Sequence, residues 1–356
     1  MKIAEIGAGD SMNSELVRSM LAAVPLPLMI VGNDQRIKSA NAGAHVIFGA
    51  DLEGRQVLTV IRQPALLDAL EATLRDGSSN RARFLMTGAQ DASYRIMTSP
   101  ISNGPEHGAL IAFEDVTELE KAEEMRRDFV ANVSHELRTP LTALLGFIET
   151  LKGAAKDDAV ARERFLTIME REAGRMNRLV SELLSLSRVE AEERMRPGER
   201  VDMAGIVRSA ITALKPLAEA AQVEIELTGA EAPIHLLADP DQMAQVFSNL
   251  IENAVKYGGS GKRVTVAITR EPREIGLRGP AVRFDVIDRG EGIDQVHLPR
   301  LTERFYRVDA HRSREKGGTG LGLAIVKHII NRHRGRLKID STKGQGSRFS
   351  VILPEN

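Results

Sequence analysis

Arg127-Asp128-Phe129-Val130-Ala131-Asn132-Val133-Ser134-His135-Glu136-Leu137-Arg138-Thr139-Pro140-Leu141 is the most informative stretch of the chain. It lies within a run rich in Glu, Lys, Arg and Met that has no Gly or Pro between Val116 and Pro140, which predicts one long helix. At ~100° per residue, Leu119, Ala122, Met125, Phe129, Val133 and Leu137 gather on roughly one third of the helix circumference. His135 falls about 150° from the centre of that seam, so its imidazole is expected to face water. Glu136 beside it could orient the ring or take its proton, a pairing of base and nucleophile used in covalent catalysis. Thr139, four residues on, shares the histidine's face. Pro140 has no N–H for the carbonyl of Glu136, so a bend is expected just below the histidine. Taken alone, a histidine on a charged helix is an ordinary solvated residue, and only its neighbours suggest more.

A second helical pattern runs over 158–190, with Phe165, Ile168, Met169, Ala173, Met176, Val180, Leu183 and Leu184 at spacings of three and four. The link around 153–157 is short, which predicts an antiparallel hairpin. Such a hairpin cannot bury its own stripe, so a four-helix bundle made by two chains, a homodimer, is expected.

Upstream, residues 13–117 mix short helical pieces with strand-like runs at 28–31, 81–86, 94–99 and 109–113. Turn signals separate them, at Gly32-Asn33-Asp34, Asp76-Gly77-Ser78-Ser79 and Asn103-Gly104-Pro105. A small α+β domain follows from that pattern. Downstream, Arg196-Pro197-Gly198 breaks the helical pattern, and 200–356 alternate helix-like runs (203–222, 241–257, 319–333) with strand-like ones. That alternation predicts a two-layer α/β sandwich. The expected organisation is thus multidomain α+β: 13–117, a hairpin at 118–195, and a C-terminal domain at 200–356.

Three blocks of the last domain carry chemistry. In Gln245-Val246-Phe247-Ser248-Asn249-Leu250-Ile251-Glu252-Asn253-Ala254-Val255-Lys256-Tyr257, Asn249 and Asn253 stand one helical turn apart, where neutral oxygens can hold a magnesium ion that keeps some of its waters. Lys256 suits a phosphate and the Tyr257 ring can line a base pocket. In Asp285-Val286-Ile287-Asp288-Arg289-Gly290-Glu291-Gly292-Ile293, Asp288 could accept a hydrogen bond from an adenine amino group. Gly290 and Gly292 would let backbone approach a ligand, although a plain turn explains this block about as well. In Gly317-Gly318-Thr319-Gly320-Leu321-Gly322-Leu323-Ala324, glycines feed a helix N-terminus whose bare N–H groups can cradle phosphate. Polar residues 309–316 suit a lid, and Arg307 of Glu303-Arg304-Phe305-Tyr306-Arg307 is the candidate contact for a terminal phosphate.

Around His135 nearly every position resembles the H-box of the HisKA class of sensor histidine kinases. The C-terminal blocks look like the N, G1, F and G2 boxes of the GHKL ATPase fold, shared with gyrase and mismatch-repair ATPases. The first domain is similar, more loosely, to PAS sensor domains. The resemblance spans about two thirds of the chain. It implies Mg²⁺-ATP as phosphoryl donor, His135 as acceptor, an aspartate on a response-regulator receiver as next acceptor, and phosphatase activity involving Thr139. The order of domains and the wording of the H-box are nearest the phosphate-regulon type. A silent nucleotide-binding adaptor and a GHKL ATPase without a phosphohistidine are the rival readings; an intact H-box speaks against both.

Composition fits that frame. Of 356 residues, 42% are hydrophobic and 27% charged, with a net charge of −1, so nothing in the balance favours nucleic acid as a partner. The absence of cysteine rules out thiolate metal sites and a cysteinyl-flavin adduct, and fits a reducing cytoplasm. His45 and His107 are the only haem-ligand candidates in the first domain, and both suit ordinary polar roles. The longest apolar stretch, 20–31, holds Pro25 and Pro27 and falls short of the ~20 residues that span a bilayer. No membrane span is expected in this chain, and Glu5 and Asp10 do not suit a signal peptide.

Overall fold

The structure is a computed structural model that describes residues 6–88, 91–103, 106–193, 195–258, 261–274, 276–277, 279–309 and 318–355. The expected turn at Gly104-Pro105 and residues 310–317, which hold most of the expected lid, lie outside the described residues. The chain divides into two compact units, 1–130 and 131–356.

In the first unit, helix α1 (Ile6–Ala23) precedes β1 (Leu28–Gly32), β2 (Ile37–Ala40), α2 (Ala42–Phe48), α3 (Val57–Val60), α4 (Pro64–Asp76), β3 (Asn80–Met86), β4 (Ala92–Asn103) and β5 (Glu106–Asp115). The strands form one antiparallel sheet in the order β2-β1-β5-β4-β3. Alternation along β1 and β5 sends Met29, Val31, Ile111 and Phe113 into a core shared with Leu66 and Leu70 of α4. Phe48, Phe84 and Phe113 meet there with ring centroids 5.0 to 6.1 Å apart. One buried polar residue ties the segments together. Asn41 caps α2 by accepting from Ala44 N–H, accepts also from Leu28 N–H, and donates to the carbonyls of Leu21 and Leu26. The strands are longer than the sequence pattern implied because β4 and β5 pair over ten residues into a turn the pattern marked as loop.

Helix α5 (Thr117–Lys152) continues on both sides of Pro140, and α6 (Ala159–Glu192) returns after a short link, its first turn capped by Asp158. Phe147 and Phe165 stack at 5.2 Å where the helices meet the link. Within one chain the hairpin buries little: Pro140 on α5, and Leu179, Leu186 and Val189 on α6. Leu141, Leu145, Leu166 and Leu184 stay about half exposed, and Val160 is 81% exposed.

The remainder of the second unit comprises β6 (Arg200–Asp202), α7 (Met203–Ala220), β7 (Glu224–Thr228), β8 (His235–Leu237), α8 (Pro240–Gly258), β9 (Arg263–Glu274) and β10 (Gly279–Asp288). A 3-10 turn (Gln295–Arg300), α9 (Gly322–Arg332), β11 (Arg336–Thr342) and β12 (Gly346–Pro354) complete it. The main sheet runs β11-β12-β10-β9-β7, antiparallel except for the β7–β9 pair, and a β6–β8 ribbon stands apart. Helices α7, α8 and α9 supply the second layer. Met243, Val246, Phe247, Leu250, Ile251, Ala254 and Val255 bury one face of α8, with Phe247 against Phe284 of β10 at 5.2 Å. Asp239 caps α8 through Gln242 N–H. Helix α9 begins at Gly322 rather than near Thr319, because Gly320 turns through a φ of +79° that no helix accommodates.

Candidate functional site

Because one face of α8 is spent on the core, Asn249, Glu252, Asn253 and Lys256 fall on the other, three or four residues apart. They line a cavity of about 300 Å³ that is bordered also by Asp288, Glu291, Gly292, Tyr306, Arg307 and the 318–320 loop. Tyr257, Gly318, Thr319, Gly320 and Gly322 also border it. The blocks read from the sequence therefore converge, although α8 and the glycine loop are some 70 residues apart.

Local geometry accounts for each position. Asp288 ends β10, accepts from Gly290 N–H at 2.9 Å, and is buried enough that its pKa is pushed above the ordinary carboxylate value. Gly290 does not border the cavity. It lies against the end of α8, where an added Cβ would sit 2.5 Å from the Gly258 Cα, so glycine serves backbone packing there. Gly292 has a φ of +63°, and a Cβ on it would meet the Thr342 carbonyl at 2.1 Å. Leu321 also turns away, fully buried in the core. The Gly320 carbonyl accepts from Phe305 N–H, which fixes the segment carrying Arg307 beside the glycine loop.

Lys256 pairs with Glu252 at 2.6 Å. The amide nitrogen of Asn249 donates to the Gly322 carbonyl, which leaves the amide oxygen as the group a cation could use. Neutral amide oxygens with Glu252 nearby are a donor set that suits Mg²⁺.

The hairpin enters the same site. Helix α6 contributes Arg178 and Glu182 to the cavity wall, and Glu182 accepts a hydrogen bond from the Thr319 hydroxyl. Burial, the largest influence, raises the Glu182 pKa despite that bond. Further along α6, Ser185 bonds Gln245, Glu190 takes Arg304 at 2.6 Å, and Glu193 takes His328. On α5, Glu136 receives Arg307 at 3.1 Å and Arg175 of α6 at 2.7 Å. Arg307 also donates to the Thr319 carbonyl, while its Nε is buried with no hydrogen-bond partner among the described residues.

His135 is exposed, as the helical wheel predicts, and does not border the cavity. The Thr139 hydroxyl donates back to the His135 carbonyl, one turn earlier on the same helix, at 3.2 Å. Arg175, Arg178 and Glu182 were not singled out from the sequence. Their one signal is a polar stripe at i, i+3 and i+7 on α6.

A two-helix hairpin bearing an exposed histidine, docked on an α/β sandwich with an acidic, glycine-looped cavity, defines a class in which an acceptor helix serves a nucleotide-binding domain. Comparison with known families agrees. Residues 125–192 match the His Kinase A (phospho-acceptor) domain, and 238–356 match the histidine kinase-, DNA gyrase B- and HSP90-like ATPase. The chain belongs to the sensor histidine kinases. The phosphate regulon sensor protein PhoR of Pseudomonas aeruginosa is 42% identical over 245 residues, 68% of this chain and 53% of that protein. The sensor protein kinase WalK of Staphylococcus aureus is 36% identical over 335 residues, 91% of this chain and 53% of that protein. The chain thus spans about half the length of these relatives. A solved complex of the histidine kinase ThkA with the response regulator TrrA aligns at 22% identity and a TM-score of 0.48, covering 95% of this chain and 98% of that one. No described helix is long and apolar enough to cross a membrane.

Proposed function

We propose that this chain is the sensing and kinase core of a sensor histidine kinase, with a PAS-like domain at 13–117, a dimerisation and phosphoacceptor hairpin at 118–195 and a catalytic ATP-binding domain at 200–356. The observation that carries the reading is the cavity beside α8, which gathers the asparagines, Asp288, the glycine loop and Arg307, itself bonded to the residue after His135. Asp288 would hold the adenine amino group, with Tyr257 beside the base. The 318–322 loop, Gly292 and Lys256 would hold the phosphates. Asn253 and Asn249 would hold Mg²⁺, which when bound neutralises charge on the phosphate oxygens.

In the transfer, a ring-nitrogen lone pair of His135 attacks the γ-phosphorus as the bond to the β–γ bridging oxygen breaks, and ADP leaves with that electron pair. The proton on the other ring nitrogen passes to the Glu136 carboxylate. Arg307 offsets charge on the transferring group. The phosphoryl group then goes to an aspartate of a response-regulator receiver domain, and Thr139 takes part in removing it from that partner. Phosphate-response signalling is the subtype we favour, supported by the likeness to PhoR. A homodimer is supported by the half-exposed leucines of the hairpin, which a second copy would cover.

Autophosphorylation with γ-labelled Mg²⁺-ATP tests the reading. Acid-labile, base-stable label that His135→Ala abolishes is the expected result. Nucleotide binding without label would favour a silent adaptor, and label surviving in the variant would put the acceptor elsewhere.

A further inference from the structure

Glu136 carries two cations on one oxygen. Its Oε2 lies 2.7 Å from Nη2 of Arg175 and 3.1 Å from Nη2 of Arg307, and all three side chains are at least 85% buried. Both lone pairs of Oε2 are thereby engaged, and Nη1 of Arg307 reaches Oε1 at 3.4 Å as well, whereas the proposed transfer needs an open face of the carboxylate for the His135 ring. Release of one guanidinium opens that face. The two differ in what else they can do. Arg307 borders the nucleotide cavity, belongs to the ATP-binding domain, and keeps a buried Nε with no partner among the described residues, a donor that a phosphate would satisfy. Arg175 does not border the cavity and sits on the same helical hairpin as Glu136, where Glu172 holds its other edge at 4.0 Å.

We propose that Arg175 is a positioning residue for phosphoryl transfer: it keeps Glu136 oriented toward His135 when Arg307 exchanges Glu136 for the γ-phosphate. The contact between Arg175 and Glu136 lies within the hairpin, so it survives any movement of the ATP-binding domain that brings phosphate to the histidine. The contact with Arg307 crosses between hairpin and domain and is the one such a movement breaks. This inference rests on Glu136 acting as base in the proposed reaction, and it names the group that holds the base in place.

The test uses the full chain, Mg²⁺-ATP, and initial rates of autophosphorylation for Arg175→Ala, Arg175→Lys, Glu136→Gln and the Arg175→Ala/Glu136→Gln double variant. Losing the orienting group is expected to lower kcat by about tenfold or more, toward the range that general bases contribute, with KM for ATP within about twofold of wild type. Arg175→Lys, which keeps a single-point cation, should recover part of the rate. In the Glu136→Gln background, Arg175→Ala should cost less than about twofold, since there is no base left to orient. Equal losses in both backgrounds would reduce Arg175 to a packing role, and a KM rise without a kcat loss would make it part of the nucleotide site; either overturns the proposal. If Glu136→Gln is slow while Arg175→Ala is not, the proposal fails and the base assignment stands. A wild-type rate in Glu136→Gln removes the base assignment itself. Unchanged ATP binding and thermal unfolding by Arg175→Lys guard against misfolding as the cause.

Discussion

Replacing Glu182 by Gln should tighten ATP binding. The Glu182 carboxylate projects from α6 into the nucleotide cavity and holds the Thr319 hydroxyl, a group of the loop we assign to the phosphates. Glu252, Asp288, Glu291 and Asp309 also line the cavity, so a polyphosphate entering there meets Glu182 as a further fixed negative charge. Like charges ~6–8 Å apart at an effective dielectric near 20 repel by about 2–3 kcal/mol. Arg178 and Lys256 offset part of that, leaving about 1–2 kcal/mol, or roughly 5- to 30-fold in affinity. Glutamine preserves the size of the side chain and an oxygen for Thr319. The effect should depend on pH with a definite sign. Burial raises the Glu182 pKa above its ordinary 4.5, so the docked arrangement binds the proton more tightly than the undocked one, and falling pH favours docking. Once Glu182 is protonated it resembles Gln, so the two proteins should bind alike in acid and diverge as pH rises through the raised value. Titration of a fluorescent ATP analogue into both proteins, from the lowest pH at which they stay folded up to pH 8, measures this. A variant that binds no tighter than wild type, or a ratio that stays flat across the range, would refute it.

The ATP-binding domain should lose stability in mild acid because of His333, which is 2% exposed, bonds the Ile329 carbonyl through Nδ1, and accepts from Asp239 N–H through Nε2. Those partners require the neutral ring, and burial lowers its pKa below 6.5; the stabilisation is complete above 6.5 and shrinks as pH falls from there toward the lowered value. Thermal unfolding of wild type against His333→Gln between pH 7.5 and 5 should show the wild-type midpoint dropping more steeply. Gly292→Ala should cost about 2 kcal/mol or more, since the left-handed backbone costs ~1–2 kcal/mol and the Cβ meets the Thr342 carbonyl. Gly344→Ala, with a φ of +86° but open space around it, should cost only the backbone part, and equal midpoints in urea for the two variants would contradict this account. Asp288→Asn should weaken ADP binding about tenfold by losing a charge-assisted acceptor, measured by calorimetry; undiminished affinity would move the adenine elsewhere.

How much of this was legible beforehand depends on whether a residue's partner is local. The exposure of His135 follows from helical periodicity over the residues on either side of it. The cavity face of α8 follows likewise, because seven buried apolar positions force Asn249, Asn253 and Lys256 onto the opposite side. Gly290 does not border the cavity, and spacing alone could not show it: within a glycine-rich run, it does not separate a glycine that clears room for a ligand from one that lets two backbones touch. The short β6 and β8 strands, three residues each, carry too little alternation to register. Arg175, Arg178 and Glu182 were invisible for a different reason. On α6 they read as the solvated face of an amphipathic helix, and what gives them meaning is Glu136 on α5 and Thr319, which lies 137 residues beyond Glu182. A charged stripe on a helix states only that its partners are polar. Whether those partners are water, the opposite helix or a nucleotide-binding loop is decided by tertiary placement, and here that placement puts the hairpin's charges beside the loop we assign to the phosphates.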